Sequence, residues 1–224
     1  MPRQNRVNPF GELIATEARG TLMGNRGCLH DDQQRIRRSF ASKRWIFCLL
    51  EFRGRHRTVM TPGRYTELFF LDEATALAAG HRPCAECQHD RYRLFLETWA
   101  TTNPELAPSR SPAADDVDRV LHAERLSNAR GKRTYLAPLA DLPPGVIVAD
   151  ENGLPHVVLE NHLRPWLPGG YGSSIPKPVG SRFQVLTPKS IVRAILKGYP
   201  VSVHPSAESP EIAAHESVIP HGII

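Results

Sequence analysis

No cysteine follows Cys87 in this chain of 224 residues; all four (Cys28, Cys48, Cys84, Cys87) lie before that point. A disulfide framework would spread its cysteines, so this clustering points instead to a metal or redox site in a reducing compartment. No run of about 18 apolar residues occurs, which removes a membrane-spanning helix. The start, Met1-Pro2-Arg3-Gln4-Asn5, lacks the apolar stretch of a secretory signal, and the expectation is a cytoplasmic protein with no membrane partner. Neither G-x-x-x-x-G-K-[ST] nor G-x-G-x-x-G is present, so although the glycine-rich stretch Pro168-Gly169-Gly170-Tyr171-Gly172 could let a backbone approach phosphate closely, a connection between β elements explains it equally well. No Ser-His-Asp arrangement can be assembled, and no internal repeat is visible. Aromatic residues are only 7% of the chain, and Trp45, Trp99 and Trp166 read as core side chains.

What is present suits a globular fold. Hydrophobic residues make up 41% and charged residues 23%, enough to bury a core. The 20 prolines mark boundaries, with Pro104, Pro108 and Pro112 defining a linker over 103–113. The predicted organisation is a metal-binding domain over 1–102, the linker, an α+β region over 114–203 and a disordered tail over 204–224. In the first part, Trp45 to Phe52 and Tyr65 to Leu71 read as strands and Arg57 to Met60 as a return strand. Asp72 stands at a helix N-cap, Glu73 to Ala79 favour helix, and Gly80 suits its left-handed end. A helix over 91–101 follows. Beyond the linker come a helix over 115–126, a hairpin turning at Asp150 to Gly153, a strand at Phe183 to Leu186 and a helix from Pro188 to Lys197.

Charge is unevenly distributed. Residues 26–64 hold ten Lys/Arg against Asp31, Asp32 and Glu51, a local +7 in a chain of net +5. Such a concentration favours a polyanion such as nucleic acid, although a solvated arginine-rich face is the alternative. Arg53, Arg55 and Arg57, alternating around the Gly54 turn, are the predicted phosphate contacts.

Gly80-His81-Arg82-Pro83-Cys84-Ala85-Glu86-Cys87 is the most specific segment. Two cysteines separated by two residues can bind one zinc ion from a single turn. The helix that follows favours thiolate charge at its N-terminus. Residues 69–90, from Phe69-Phe70-Leu71-Asp72-Glu73-Ala74 through Ala78-Ala79-Gly80 to Cys87-Gln88-His89-Asp90, resemble the zinc-binding domain of the Ada DNA-repair protein and its relatives. The resemblance implies that Cys84 and Cys87 are zinc ligands and that the neighbourhood touches DNA in repair or processing. That family has two further, closely spaced upstream cysteines, one of which accepts a methyl group from a DNA phosphotriester. The comparable stretch, about Arg53 to Tyr65, has no cysteine and offers only His56, so methyl transfer is not carried over.

Cys28 and Cys48 are the simplest additional ligands, with His56 and His30 as imidazole alternatives. For Cys48, in an apolar strand, a buried thiol without metal is an equal reading. His30 beside Asp31 and Asp32 forms one constellation that could bind a metal or serve as acid–base machinery, with a surface loop of incidental His and Asp as the blander reading. Asp118, His122 and Arg125 share one helical face and form another, where a carboxylate–imidazole pair could orient a base, with a solvated face as the commoner reading. The expectation is an α+β protein with a zinc-knuckle N-terminal domain followed by a small, mostly β C-terminal region. Its expected function is zinc-stabilised nucleic-acid binding. The alternatives are a metal-dependent hydrolase using His30, Asp31 and His122 on nucleic acid, or a structural zinc scaffold for protein partners.

Overall fold

Short apolar runs punctuated by turn residues give short strands, and the computed structural model has two sheets of them; it describes residues 1–55, 58–127 and 131–208. The first sheet contains β1 (Gln4–Val7), β2 (Leu13–Ala15), β3 (Leu22–Asn25), β4 (Ile46–Leu49), β5 (Leu68–Phe70) and β6 (Arg82–Pro83), in the order β2-β1-β5-β3-β4-β6. Its β1·β5 and β4·β6 pairs are parallel, and the others antiparallel. Helix α1 (Glu73–Ala78) links β5 to β6, and α2 (His89–Thr102) and α3 (Ala114–Arg125) follow.

The second sheet holds β7 (Tyr135–Pro138), β8 (Ile147–Ala149), β9 (Pro155–Val158), β10 (His162–Leu167), β11 (Gly170–Tyr171), β12 (Ile175–Pro176) and β13 (Arg182–Val185). Its order is β11-β10-β9-β8-β13-β7, with β12 also pairing with β10. Helix α4 (Lys189–Leu196) comes last and closes at Gly198, whose φ of 104° suits a residue without Cβ. Among the described residues no helix is long and apolar enough to cross a membrane.

The expected fold class needs correction. The chain is not a zinc-knuckle domain followed by a small, mostly β region. It is a mixed fold with sheets of six and seven strands and, among the described residues, four short α-helices. The physical reason is burial. One hydrophobic cluster joins Phe70 of the first sheet, Trp99 of α2, Leu121 of α3, Val148 and Val185 of the second sheet and Ile191 of α4. The residues predicted as a linker take part: Asn103 is buried and donates to the carbonyls of Trp99 and Ser190, and Leu106 and Ala107 pack on the core. Val59 and Met60 lie in a turn, not a return strand, and Met60 is buried at φ 58°.

Two adjacent acids bind the halves together. Asp72 caps α1 as expected, its Oδ1 accepting from Thr75 N at 2.8 Å. Its Oδ2 accepts from Tyr171 Oη at 2.7 Å and His204 N at 2.8 Å. Glu73 accepts from Arg91, from Tyr199 Oη at 2.7 Å and from Ser202 N at 3.0 Å. The segment His204–Glu208, expected to be disordered, is therefore docked; Ala207 is buried and Ser206 Oγ accepts from Tyr171 N at 2.8 Å. The rest of the predicted tail lies outside the described residues.

Truncation before His204 should lower the melting temperature, because Asp72 and Tyr171 each lose a partner in a buried setting. At about 1 kcal/mol per hydrogen bond, more where a charge is involved, the loss is roughly 2–3 kcal/mol. For a chain of this size that corresponds to a fall of about 5–10 °C in thermal unfolding. An unchanged melting temperature would contradict the docking.

Candidate metal centre

Strand alternation decides where the thiol of Cys48 points. Phe47 enters the main core, while Ile46 and Cys48 face the other side with Met23 and Phe69. The parallel β4·β6 ladder, with Ile46 opposite Arg82 and Phe47 opposite Pro83, brings the knuckle to the same place. Cys84 N donates to Phe47 O at 2.9 Å, and Gln88 Nε2 donates to the same carbonyl at 2.9 Å. The turn then carries Cys87 back towards β4, where its Sγ accepts from Leu49 N at 3.4 Å. Glu86 N likewise donates to Cys84 Sγ at 3.4 Å.

The sulfurs of Cys48, Cys84 and Cys87 all lie within 4.8 Å of one another. This trio could hold a metal ion, and it is the one such group of three or more His, Cys, Asp or Glu among the described residues. Sulfurs bound at 2.3 Å around a tetrahedral ion are about 3.8 Å apart, so the trio needs to close by about 1 Å at most. All three thiols are free of disulfides.

The electrostatics suit a cation. The Cys48 thiol donates to Cys84, and with the amides of Cys87 and Glu86 this holds Cys84 down at about 5. Donation to Cys84 and burial push Cys48 far up, and burial with the neighbouring Cys84 charge pushes Cys87 up. One thiolate thus forms readily and holds the other two protonated, a balance that a divalent ion would reverse.

A cavity of about 670 Å³ opens beside the trio, lined also by Glu51, Arg53, Arg55 and Glu67. Arg55 pairs with Glu86, within the knuckle, at 2.6 Å, and both Arg53 and Arg55 lie over the Phe52 ring. Arg57 and His56, the other residues predicted in this loop, lie outside the described residues.

Other predicted residues have different employment. Cys28 is not in the trio; its Sγ donates to His30 O at 3.6 Å. Buried His30 braces a loop, its Nε2 donating to Thr61 O at 3.2 Å and its Nδ1 lying 2.6 Å from Thr66 Oγ1. Asp31 orders its own loop by accepting from Gln33 N, Arg35 N and the Arg35 and Arg37 guanidiniums. The Arg35 amide leads in holding its carboxyl well below the usual range. His122 Nδ1 accepts from Arg125 at 3.0 Å, and burial pushes its basicity down. The structure brings none of His30, Asp31 and His122 into a shared metal group among the described residues.

A pairing with no local signature positions the knuckle from behind. Arg82 meets Asp118 of α3 through two parallel hydrogen bonds, 2.9 Å from Nε and 2.7 Å from NH2, both side chains buried. Asp118 was read as a partner for His122, one turn away on the same helix face. Spacing along a helix shows what can meet on that helix, and Arg82 comes from another element.

No protein-family model, curated protein or solved structure matches the chain.

Asp118→Ala should destabilise the protein by about 3–5 kcal/mol, because it leaves the Arg82 guanidinium buried without its counter-charge. Arg82→Met with Asp118→Leu should recover most of that loss in denaturant unfolding. A double variant no more stable than Asp118→Ala would argue against an ion pair isolated from other partners.

Proposed function

We propose that the protein binds one zinc ion through Cys48, Cys84 and Cys87 and binds nucleic acid across the basic loop beside that ion. The observation that carries the reading is the convergence of three free thiols at the mouth of a cavity lined by Arg53 and Arg55. Three thiolates form a soft donor set that suits zinc well and magnesium or calcium poorly. The resemblance of residues 69–90 to the Ada zinc-binding domain supports the same metal and a DNA partner. Zinc would supply a fixed positive charge that draws the thiols into their ionised form, while the chain's own residues orient the sulfurs. Free thiols accord with the reducing conditions of the cytoplasm.

The open side of the trio favours a second reading. Catalytic zinc sites keep a position for water or substrate, so metal-dependent cleavage of nucleic acid deserves a direct assay. Cleavage would then depend on the thiol site, not on His30, Asp31 and His122.

Purified protein should carry about one zinc per chain by elemental analysis. Cys48→Ser, Cys84→Ser and Cys87→Ser should each lose most of it, whereas Cys28→Ser should retain it. Retention in Cys48→Ser, or loss in Cys28→Ser, would overturn this ligand set.

DNA affinity, followed by fluorescence anisotropy on short duplex and single strands, should fall steeply with salt. Arg53→Glu with Arg55→Glu should weaken binding at low salt and reduce the slope of log K against log[salt] by about 2 on duplex DNA. Equal binding by the variant would refute the interface. Strand cleavage that is lost in Cys84→Ser would favour the hydrolase reading.

A further inference from the structure

At the other end of β4 from Cys48, Trp45 stands in a group of buried cations. Arg26 is fully buried and Arg125 nearly so, and each guanidinium carbon lies 3.9 Å from the Trp45 ring centroid. Both side chains, with Lys132, line a separate cavity of about 470 Å³. Gly80, at φ 84°, leaves room for this arrangement: a Cβ there would come within 2.6 Å of the Arg125 side chain.

The hydrogen-bond partners of these cations are neutral. Arg26 donates from Nε to His81 Nε2 at 3.1 Å and from NH1 to the carbonyls of Gly11 and Ser39. Arg125 donates to the carbonyls of Gly80 and Lys43 and to His122, and Lys132 donates to Ala78 O. Arg26 NH2 and Arg125 Nε have no partner among the described residues. Asp118, whose charge reaches Arg125, is committed to Arg82. Glu12, at the exposed rim, is bonded to Asn8.

Two buried guanidiniums and the half-buried Lys132 ammonium, with no carboxylate among the described residues bonded to any of them, are costly to hold together. Burial, followed by the charges of Arg26 and Arg125, pushes Lys132 down to about 7, and burial pushes Arg125 down to about 9. The indole faces ease this cost without neutralising charge. An anion entering the cavity would neutralise them, and it would satisfy the free guanidinium N–H groups once the side chains covering them shift, since neither atom has accessible surface in this arrangement.

We propose that this cavity binds a small phosphomonoester, its phosphate held by Arg26, Arg125 and Lys132. The volume exceeds the need of inorganic phosphate alone and lies within the usual range for small-molecule sites. Phe10, Leu13 and Ile36 supply an apolar wall for the organic part. Trp45, already covered by the two guanidiniums, is not available to stack on a base.

Calorimetric titration of the full chain with a nucleoside monophosphate, its parent nucleoside and inorganic phosphate tests the assignment. The monophosphate should bind and raise the melting temperature, and the nucleoside should do neither. Lys132→Met should weaken monophosphate binding by about tenfold or more, and Lys132→Arg should restore most of it, as expected for a charge-assisted contact. A 5′-phosphorylated oligonucleotide that competes with the monophosphate, where its unphosphorylated form does not, would support the same site and identify a nucleic-acid end as a source of the phosphate. Three results would each overturn the proposal: no response to the monophosphate, equal binding by the nucleoside, or binding of inorganic phosphate only. If Lys132→Met does not fold, the comparison of monophosphate with nucleoside on the unaltered protein decides the question.

Discussion

The carboxylates of Asp72 and Glu73, adjacent in sequence and both buried, have to be fully hydrogen-bonded, and meeting that requirement draws distant segments together. Asp72 takes donors from its own helix, from Tyr171 in the second sheet and from the backbone of His204. Glu73 takes them from Arg91 on α2, from Tyr199 and from Ser202. Two side chains at the start of one short helix therefore fasten the first sheet, the second sheet, α2 and the end of the described chain. Helix α1, with a single turn and a half of its own hydrogen bonds, would be marginal without this support.

The thiol site depends on that frame at one remove. Helix α1 lies between β5 and β6, and β6 sets Cys84 against β4. The Arg82–Asp118 pair then anchors the same two-residue strand to α3. The knuckle is thus held from the sheet side by backbone pairing and from the helix side by a buried ion pair. Such support from behind keeps a constellation of side chains close to its working geometry.

Local chemistry was legible in the sequence wherever it is self-contained. Asp72 capping Thr75, Gly80 ending its helix, and the Asp150–Gly153 turn all depend on residues a few positions apart. Cys48 could be narrowed only to ligand or buried thiol, because an apolar strand does not reveal which face meets another element until the partner strand is known. The basic segment was misleading in a different way. Counting charge along 26–64 treats its members alike, yet Arg26 is fully buried against Trp45, whereas Arg35, Arg37 and Arg44 are mostly exposed. The prolines of 103–113 read as a boundary, but Asn103 and Leu106 bury themselves against α4 and the core. Pairings such as Arg82 with Asp118, or Asp72 with His204, leave no periodic trace in the sequence.

Chain order adds a consequence for synthesis on the ribosome. Strand β1 is flanked in its sheet by β2 and β5, so its second neighbour emerges only after Phe70 has been made. Asp72 and Glu73 wait longer, since their remaining donors extend to Ser202 and His204. A nascent chain ending before those residues carries both acids without their full complement of partners. Its apolar surfaces also lack the second sheet and α4, which complete the core. Completion of this core and of the Asp72–Glu73 network therefore has to wait until His204 has emerged from the exit tunnel.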